Sequence, residues 1–363
     1  MNTWKLVKLN FGRSVAHFGE LGIGIEETSE RVRSDTLFSA WVSAYARLFG
    51  KDAVEKLLEL FPSEEYPEQQ SPFRLSSTFI YRQNGTEVIY YLPRPQIFPI
   101  NYPGDDGTDG GDLKFFKTYK TLHYLPLKVW HKWYQGEGFT KCDRQELIDR
   151  TNTKNSNSLL DKAGTFDYKK AREISLLPKI AVDRVTRATN LYHTGVVQFH
   201  WEQNGHGIKS LSGLYFLLQF SKEKEKLAND LQAALHLLGE EGLGGERSSG
   251  AGRFEVEWLD LPPTWHDVAE FSGGTHHTLM SLFWESPLPD SLLEHASYDI
   301  QERGGWLAES NLRRQMVRMF TEGSVFPQQP EGKLVDVTPK EFSKHRIYRS
   351  GIALSLPIKV QEK

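Results

Sequence analysis

The sequence predicts an α+β protein whose first domain is a split βαβ unit of the ferredoxin-like, or RNA-recognition, kind. Three observations carry that expectation. An alternating strand opens the chain, an amphipathic helix follows it, and a strand–strand–helix–strand series resumes at Tyr192 after a long, loosely patterned insertion.

The first strand spans Thr3 to Phe11, where Val7, Leu9 and Phe11 alternate with Lys8 and Asn10. A loop carrying Gly19, Gly22 and Gly24 leads to the clearest helix, Asp35 to about Phe49. Leu37, Trp41, Tyr45 and Leu48 form its apolar stripe, widened by Phe38, Val42 and Phe49. Ser34 is placed as its N-cap, and Asp35 sets a negative charge in the first turn, where the helix dipole favours it. A second helical stretch, Asp52 to Leu60, ends at Phe61-Pro62. Residues 62–190 then read as an insertion with strands of its own. It is broken by an acidic, turn-rich segment at 62–72, a Gly/Asp/Pro run at 101–112 and small polar residues at 152–158.

From Tyr192, Val197, Phe199 and Trp201 alternate with Gln198 and His200, and Asn204-Gly205 supplies a tight-turn signal. Leu214, Phe216, Leu218 and Phe220 give the return strand. Lys222 to Leu238 is an amphipathic helix with Leu227, Leu231, Ala234, Leu235 and Leu238 on one side. A glycine-rich loop leads to the last strand, Arg253 to Leu259, and Leu261-Pro262-Pro263 marks a boundary. The expected organisation is a domain at 1–260 with the insertion at 62–190, followed by a smaller β-rich domain at 261–363. That second domain has strands near His277–Trp284, Ser297–Gln301 and Ile352–Ile358, and a short helix presenting Arg313, Arg314 and Arg318 on one side.

A chain of 363 residues suits roughly two domains. Its 39% hydrophobic content and 30 glycines exclude disorder and collagen-like repeats, and no run approaches the roughly 20 apolar residues of a spanning helix. The N-terminal residues lack the apolar core of a signal peptide, so a cytoplasmic location is expected. The single cysteine, Cys142, excludes an intramolecular disulfide and a multi-cysteine zinc site. Net charge is −3, yet Asp112 to Asn190 holds 16 Lys/Arg against 9 Asp/Glu, so one face is available to a phosphate-bearing partner.

The most informative segment is Gly239 to Phe254. Six of the 14 residues from Gly239 to Gly252 are glycine, interleaved with Arg247, Ser248, Ser249 and, just beyond, Arg253. Glycines let the backbone turn N–H groups outward into an anion-binding concavity, while the arginines add charge and the serines hydroxyl donors. No Gly-Lys-Ser/Thr follows, which excludes a Walker loop. The helix-to-strand position is the reverse of a dinucleotide fingerprint.

This loop resembles the G-rich loop of the repeat-associated RNA-binding (RAMP) superfamily of CRISPR systems. The N-terminal run His17-Phe18-Gly19-Glu20, Gly22 to Glu30 and Ser34-Asp35-Thr36-Leu37-Phe38 narrows the resemblance. So do Ile180 to Ala188 and the closing run from Gly323 through His345, Tyr348 and Gly351. Together they resemble the subunit-4 family of type III-A Csm effector complexes. One departure is Ala251, where an aromatic residue is expected. The resemblance implies two ferredoxin-like domains and a non-catalytic subunit without cofactor or metal. It implies that the chain holds the repeat-derived 5′ tag of crRNA and docks the large signature subunit and backbone subunit 3. The residues expected to meet RNA are Gly244, Gly245, Arg247, Ser248, Ser249, Gly250 and Arg253 of the loop. To these are added Arg184, Thr186 and Arg187, with His17, and Arg33 and Ser34 at the positive end of the first long helix.

The rival reading is a metal-independent RAMP endoribonuclease using His17 and a second histidine as acid and base. In such processing enzymes the Gly-rich loop lies near the C-terminus, whereas here more than a hundred residues follow it. Metal-assisted cleavage through Asp35 lacks a second ligand, and the histidine pairs His276-His277 and His200/His206 have poor zinc geometry. A purely structural assembly protein would leave the Gly/Arg/Ser loop without a task.

Overall fold

The computed structural model describes residues 3–20, 24–103, 113–152, 158–204, 207–221, 225–307 and 311–361. The expectations at Gly22, 104–112, 153–157, Gly205-His206 and Lys222 lie outside the described residues. Strand β1 (Thr3–Asn10) and the short β2 (Val15–Ala16) precede helix α1 (Ser34–Phe49), which buries Leu37, Phe38, Trp41, Ala44 and Tyr45, whereas Leu48 and Phe49 of the expected stripe are exposed at its end. Gly50, at φ +86°, turns the chain into α2 (Lys51–Leu58). The insertion supplies β3 (Phe73–Leu75), β4 (Phe79–Asn84), β5 (Glu87–Pro93), α3 (Leu113–Thr121), β6 (Tyr124–Pro126), α4 (Leu127–Tyr134), α5 (Lys141–Asn152) and α6 (Leu159–Lys162). A long two-stranded ribbon follows, β7 (Arg172–Val182) with β8 (Thr189–Phe199). Then come β9 (Trp201–Asn204), β10 (Gly207–Phe220), α7 (Glu225–Glu241) and β11 (Glu255–Asp260).

These strands form an antiparallel sheet in the order β11-β1-β10-β4-β5-β6. The return strand β10 pairs with β1 from Thr3↔Phe220 to Leu9↔Leu214 and forms the expected tight hairpin with β9 from Gly207↔Asn204 to Leu211↔Trp201, but its other edge is not taken by the Val197/Phe199 run. Strands β3 and β4 of the insertion occupy that edge. Val197 and Phe199 belong instead to β8, which pairs with β7 and β2. Burial explains the exchange. A central strand needs apolar side chains on both faces, and Phe79, Ile80 and Tyr81 are fully buried. The Val197/Phe199 run alternates with exposed Gln198 and His200, which suits a strand with one wet face. The helix before the glycine loop also runs three residues beyond Leu238, so Gly239 is helical and the loop starts at Gly242.

Both faces of the sheet are covered. On one, Val7, Leu9, Leu214 and Phe216 pack on α1 and α7, with Trp41 Nε1 donating to the Leu231 carbonyl at 2.7 Å. On the other, Leu6, Phe79, Tyr81 and Leu217 meet Trp130 and Trp133 of α4. The last hundred residues join this second core. They comprise α8 (Pro263–Ala269), β12 (His276–Leu279), α9 (Asp290–Leu293), β13 (Ile300–Arg303), β14 (Val317–Phe320), β15 (Val325–Phe326), β16 (Leu334–Asp336), β17 (Tyr348–Ser350) and β18 (Ser355–Ile358). Trp265, Met280, Val325, Leu354, Leu356 and Ile358 fill the same cluster as Leu6 and Phe79. The short helix expected around Arg313, Arg314 and Arg318 is absent. Arg318 lies in β14 opposite Glu302 of β13, an antiparallel pair joined through the described bridge Trp306↔Arg313.

Candidate nucleic-acid interface

After α7 the backbone turns back on itself at four glycines of positive φ, Gly242 (+89°), Gly244 (+99°), Gly250 (+86°) and Gly252 (+78°). The neck is closed by the Leu243 N–H donating to the Gly252 carbonyl at 2.8 Å, with Leu243 and Ala251 buried beneath it. Ala251, where an aromatic side chain was expected for stacking, is thus an interior anchor. Outside the neck, Arg247–Ser249 form one exposed 3₁₀ turn between Glu246 and Gly250, both left-handed. Arg247, Ser248, Ser249 and Arg253 are exposed, and neither arginine has a carboxylate within 4 Å among the described residues.

His17 joins this loop to the ribbon. Its carbonyl accepts the Gly245 N–H at 2.8 Å, and its ring Nδ1 lies 2.7 Å from the Gly195 carbonyl of β8. A Cβ on Gly245 would stand 2.7 Å from His17 Cδ2, so the approach requires glycine there. With 8% exposure and its Nδ1 held by main chain, His17 is a joint between two elements. From β7, Lys179 adds a second tie by donating to the Glu246 carboxylate and, at 2.9 Å, to Ser249 Oγ. The Lys179 hydrogen bond, working against partial burial, holds the Glu246 carboxyl below its usual range.

The ribbon carries Arg184, Thr186 and Arg187 at its far tip, all exposed. Five residues of extended chain separate Lys179 from Arg184, about 17 Å, so the structure brings the tip to the same ribbon but not to the loop itself. Asp183 Oδ1 accepts the Val185 and Thr186 N–H groups at 2.8 and 2.7 Å, shaping the turn and lowering its own pKa. Arg184 and Arg187 have no ion pair among the described residues. Along one face Leu176, Ile180, Val182 and Leu191 stand exposed, with Ile180 opposite Leu191.

Arg33 and Ser34 are placed elsewhere. Ser34 is the first residue of α1, preceded by Arg33 at the cap position, whose side chain makes no cap hydrogen bond; the Ser34 N–H donates instead to Ser77 Oγ at 2.8 Å. Ser34 Oγ accepts the buried Leu282 N–H at 2.9 Å, so the expected N-cap role is overturned by a contact from the far end of the chain. The Arg33 guanidinium is bound to Glu20 and Glu322, inside a buried network in which Arg31 grips Glu322 at 3.1 and 3.0 Å. Asp35 is fully buried and held by Arg303 at 2.9 and 3.0 Å and by Arg349. Burial opposes ionisation of Glu322 and Asp35, but the paired arginines keep both carboxyls below their usual range. Every one of these groups is turned to internal partners.

Sequence reasoning missed three residues here. Beside Arg253 opens a cleft of about 570 Å³ lined by Phe11, Arg13, Trp201 and Phe254. In it the Arg13 guanidinium stacks 4.2 Å over the Trp201 ring, a flat cationic platform of the kind that takes a base. Arg13 was hidden in a turn, Trp201 in the alternation of a strand, and Lys179 in the insertion; none carries a local motif. Among the described residues no group of three or more His, Cys, Asp or Glu side chains is arranged to hold a metal ion, and no helix is long and apolar enough to cross a membrane.

Comparison with known proteins gives the fold relatives. Residues 272–358 match the family described as the CRISPR Csm4 C-terminal domain. The Csm4 protein of Methanocaldococcus jannaschii is 26% identical over 94% of both chains, and that of Streptococcus thermophilus is 28% identical over 94% of both. A chain of the Csm3–Csm4 subcomplex of a type III-A CRISPR-Cas interference complex superposes with a TM-score of 0.57 at 20% identity, covering 97% of this chain and 99% of that one. A chain of a Csm1–Csm4 cassette crystallised with AMPPNP gives 0.52 at 18% identity over 99% and 100%. The α+β architecture with antiparallel sheets is therefore shared along nearly the whole length. The C-terminal residues 272–358 thus match the Csm4 C-terminal domain family, and the whole chain is similar from end to end to curated Csm4 proteins.

Proposed function

We propose that this chain is the non-catalytic subunit of a type III-A CRISPR effector complex that grips the repeat-derived 5′ tag of crRNA and docks the large signature subunit and backbone subunit 3. The observation that carries the reading is the coupled surface of loop and ribbon. Unpaired Arg247 and Arg253 stand on a glycine-built turn, and Lys179 and His17 fix that turn to a ribbon ending in unpaired Arg184 and Arg187. Single-stranded RNA is held by phosphate contacts and by bases laid on aromatic or guanidinium planes, and Arg13 on Trp201 adds such a plane next to Arg253.

The structures of relatives with Csm3 and with Csm1 support the two protein partners. The order β11-β1-β10, with α1 and α7 on one face, supports reading the first unit as ferredoxin-like and the β-rich end as a degenerate second one. The buried, main-chain-bound His17 speaks for a positioning role over an acid–base one.

The test is to co-express the chain with its complex partners and a repeat–spacer array, and to sequence the RNA that copurifies. RNAs sharing one repeat-derived 5′ end are expected, and Arg247→Ala with Arg253→Ala is expected to deplete them without altering the fold. The salt dependence of RNA binding should shallow by about 1.4 in log–log slope, about 0.7 per lost phosphate contact. Undiminished crRNA in the double variant removes the loop from the assignment. Repeat RNA cut by the purified chain, and lost in His17→Ala, would make it a nuclease.

A further inference from the structure

Arg313 and Arg314 are not used by the loop–ribbon surface. They lie in a cleft of about 250 Å³ formed by Gly304, Gly305, Trp306 and Met316 between the β13 and β14 strands. Beneath it lies the buried network of α1. Arg31, Arg33, Arg303, Arg349 and Arg314 make five guanidiniums against the three carboxylates of Glu20, Asp35 and Glu322. The first four are each bound to at least one of those carboxylates. Arg314 is not. Among the described residues no carboxylate lies within 4 Å of it, and its Nε is shielded from solvent with no hydrogen-bond partner. Arg349, directly under the Gly304 carbonyl that it binds, also keeps an unpartnered buried Nε. The acid on the rim, Glu302, is engaged by Arg318 at 3.2 Å. Burial and the like charge of Arg349 pull the Arg314 guanidinium below the ordinary arginine range, the condition that an incoming anion relieves.

The rim completes a pattern. Arg313, also without a carboxylate within 4 Å among the described residues, lies 4.5 Å over the Trp306 ring, which is 44% exposed. We propose that this cleft binds one nucleotide of single-stranded RNA, with its phosphate on Arg314 and its base against the Trp306–Arg313 pair. Arg313 and Arg314 stand above a paired network of four guanidiniums and three carboxylates and suit a phosphate, whose oxygens accept from both forks. The Trp306–Arg313 plane beside that phosphate position gives a base a stacking surface, which a protein carboxylate would leave unused. Only the ligand class rests on the RNA-binding reading given above; the residues are different ones.

The purified chain, photo-crosslinked to a short oligouridylate carrying 4-thiouridine and mapped by mass spectrometry, tests it. Crosslinks are expected on peptides bearing Trp306 or Arg314 as well as on the glycine loop. Arg314→Glu should cut the former about tenfold and leave the latter, while Arg247→Ala with Arg253→Ala should do the reverse. Arg314→Gln, a milder change should the reversal unfold the protein, is expected to lower the log–log salt slope by about 0.7. Absence of the Trp306 and Arg314 crosslinks from the wild-type chain overturns the proposal, as does a yield indifferent to both Arg314 variants. Protection of those peptides by poly-glutamate but not by unlabelled RNA would assign the cleft to an acidic protein segment instead. Loss of the loop crosslinks alone leaves this site standing and defeats only the loop assignment.

Discussion

Glu322 holds α1 against the last hundred residues, and it does so as a buried charge. Removing its carboxylate leaves Arg31 with the Tyr124 hydroxyl as its remaining side-chain hydrogen bond. Breaking one side of a buried pair costs far more than the pair contributes on balance, so Glu322→Gln is expected to lower unfolding stability by about 3–5 kcal/mol in urea titrations. The same network sets an acid limit. Folded-state pKa values of Glu322, Asp35 and Glu20 lie below their unfolded ones, so their contribution is complete above about pH 5 and is lost as pH falls through the folded values. An alkaline limit mirrors it. Burial pushes the Tyr90 and Tyr91 hydroxyls up to about 12, so the stability that they confer in the neutral form is present below about pH 10 and lost as pH climbs toward 12. Melting temperatures across pH should fall at both ends, and a flat acid limb in the wild-type protein would mean that the network is not ionised as described.

At the scale of elements, the glycine loop works because two main chains touch. Gly245→Val drives a branched side chain into the His17 ring, and overpacking of this kind costs about 1–3 kcal/mol. RNA binding is expected to weaken although Arg247 and Arg253 are untouched; anisotropy titration beside a thermal melt separates the two effects. Unaltered affinity in a destabilised variant would show that the loop–ribbon joint is structural only. The loop itself was legible, since six glycines with two arginines and two serines state their own chemistry. Its tie to the ribbon was not, because Lys179 and Gly195 carry no local signal and gain meaning only through partners 67 and 178 residues away. Arg33 and Ser34 misled for the same reason. A helix start with basic neighbours advertises an anion site, and only the arrival of Glu322 and Leu282 shows that it is already filled. The place beside β10 was likewise decided by competition between two candidate strands, and the one with apolar residues on both faces took it.

At the scale of the whole molecule, the boundary read at Leu261-Pro262-Pro263 coincides with the step from β11 to α8, yet the core does not stop there. Beyond residue 270, Met280, Val325, Leu354, Leu356 and Ile358 are buried in the same cluster as Leu6, Phe79 and Leu217. At about 2 kcal/mol for each such side chain their burial sums to about 10 kcal/mol, as large as the net stability of an ordinary domain. Arg303, Arg349 and Glu322 leave with them, stripping Asp35 and Arg31 of their partners. A chain ended at residue 270 is therefore expected to lose cooperative unfolding and near-ultraviolet circular dichroism and to bind a hydrophobic dye, while keeping much of its far-ultraviolet signal. A soluble fragment with a sharp melt would instead make 1–260 an independently folding domain, and the shared core only a docking surface. The first outcome ties function to this architecture. The loop and ribbon are carried by β8 and α7 on one side of a sheet whose other side is closed by the C-terminal strands, so damage in the closing strands is expected to reach the face proposed to bind RNA through the sheet between them.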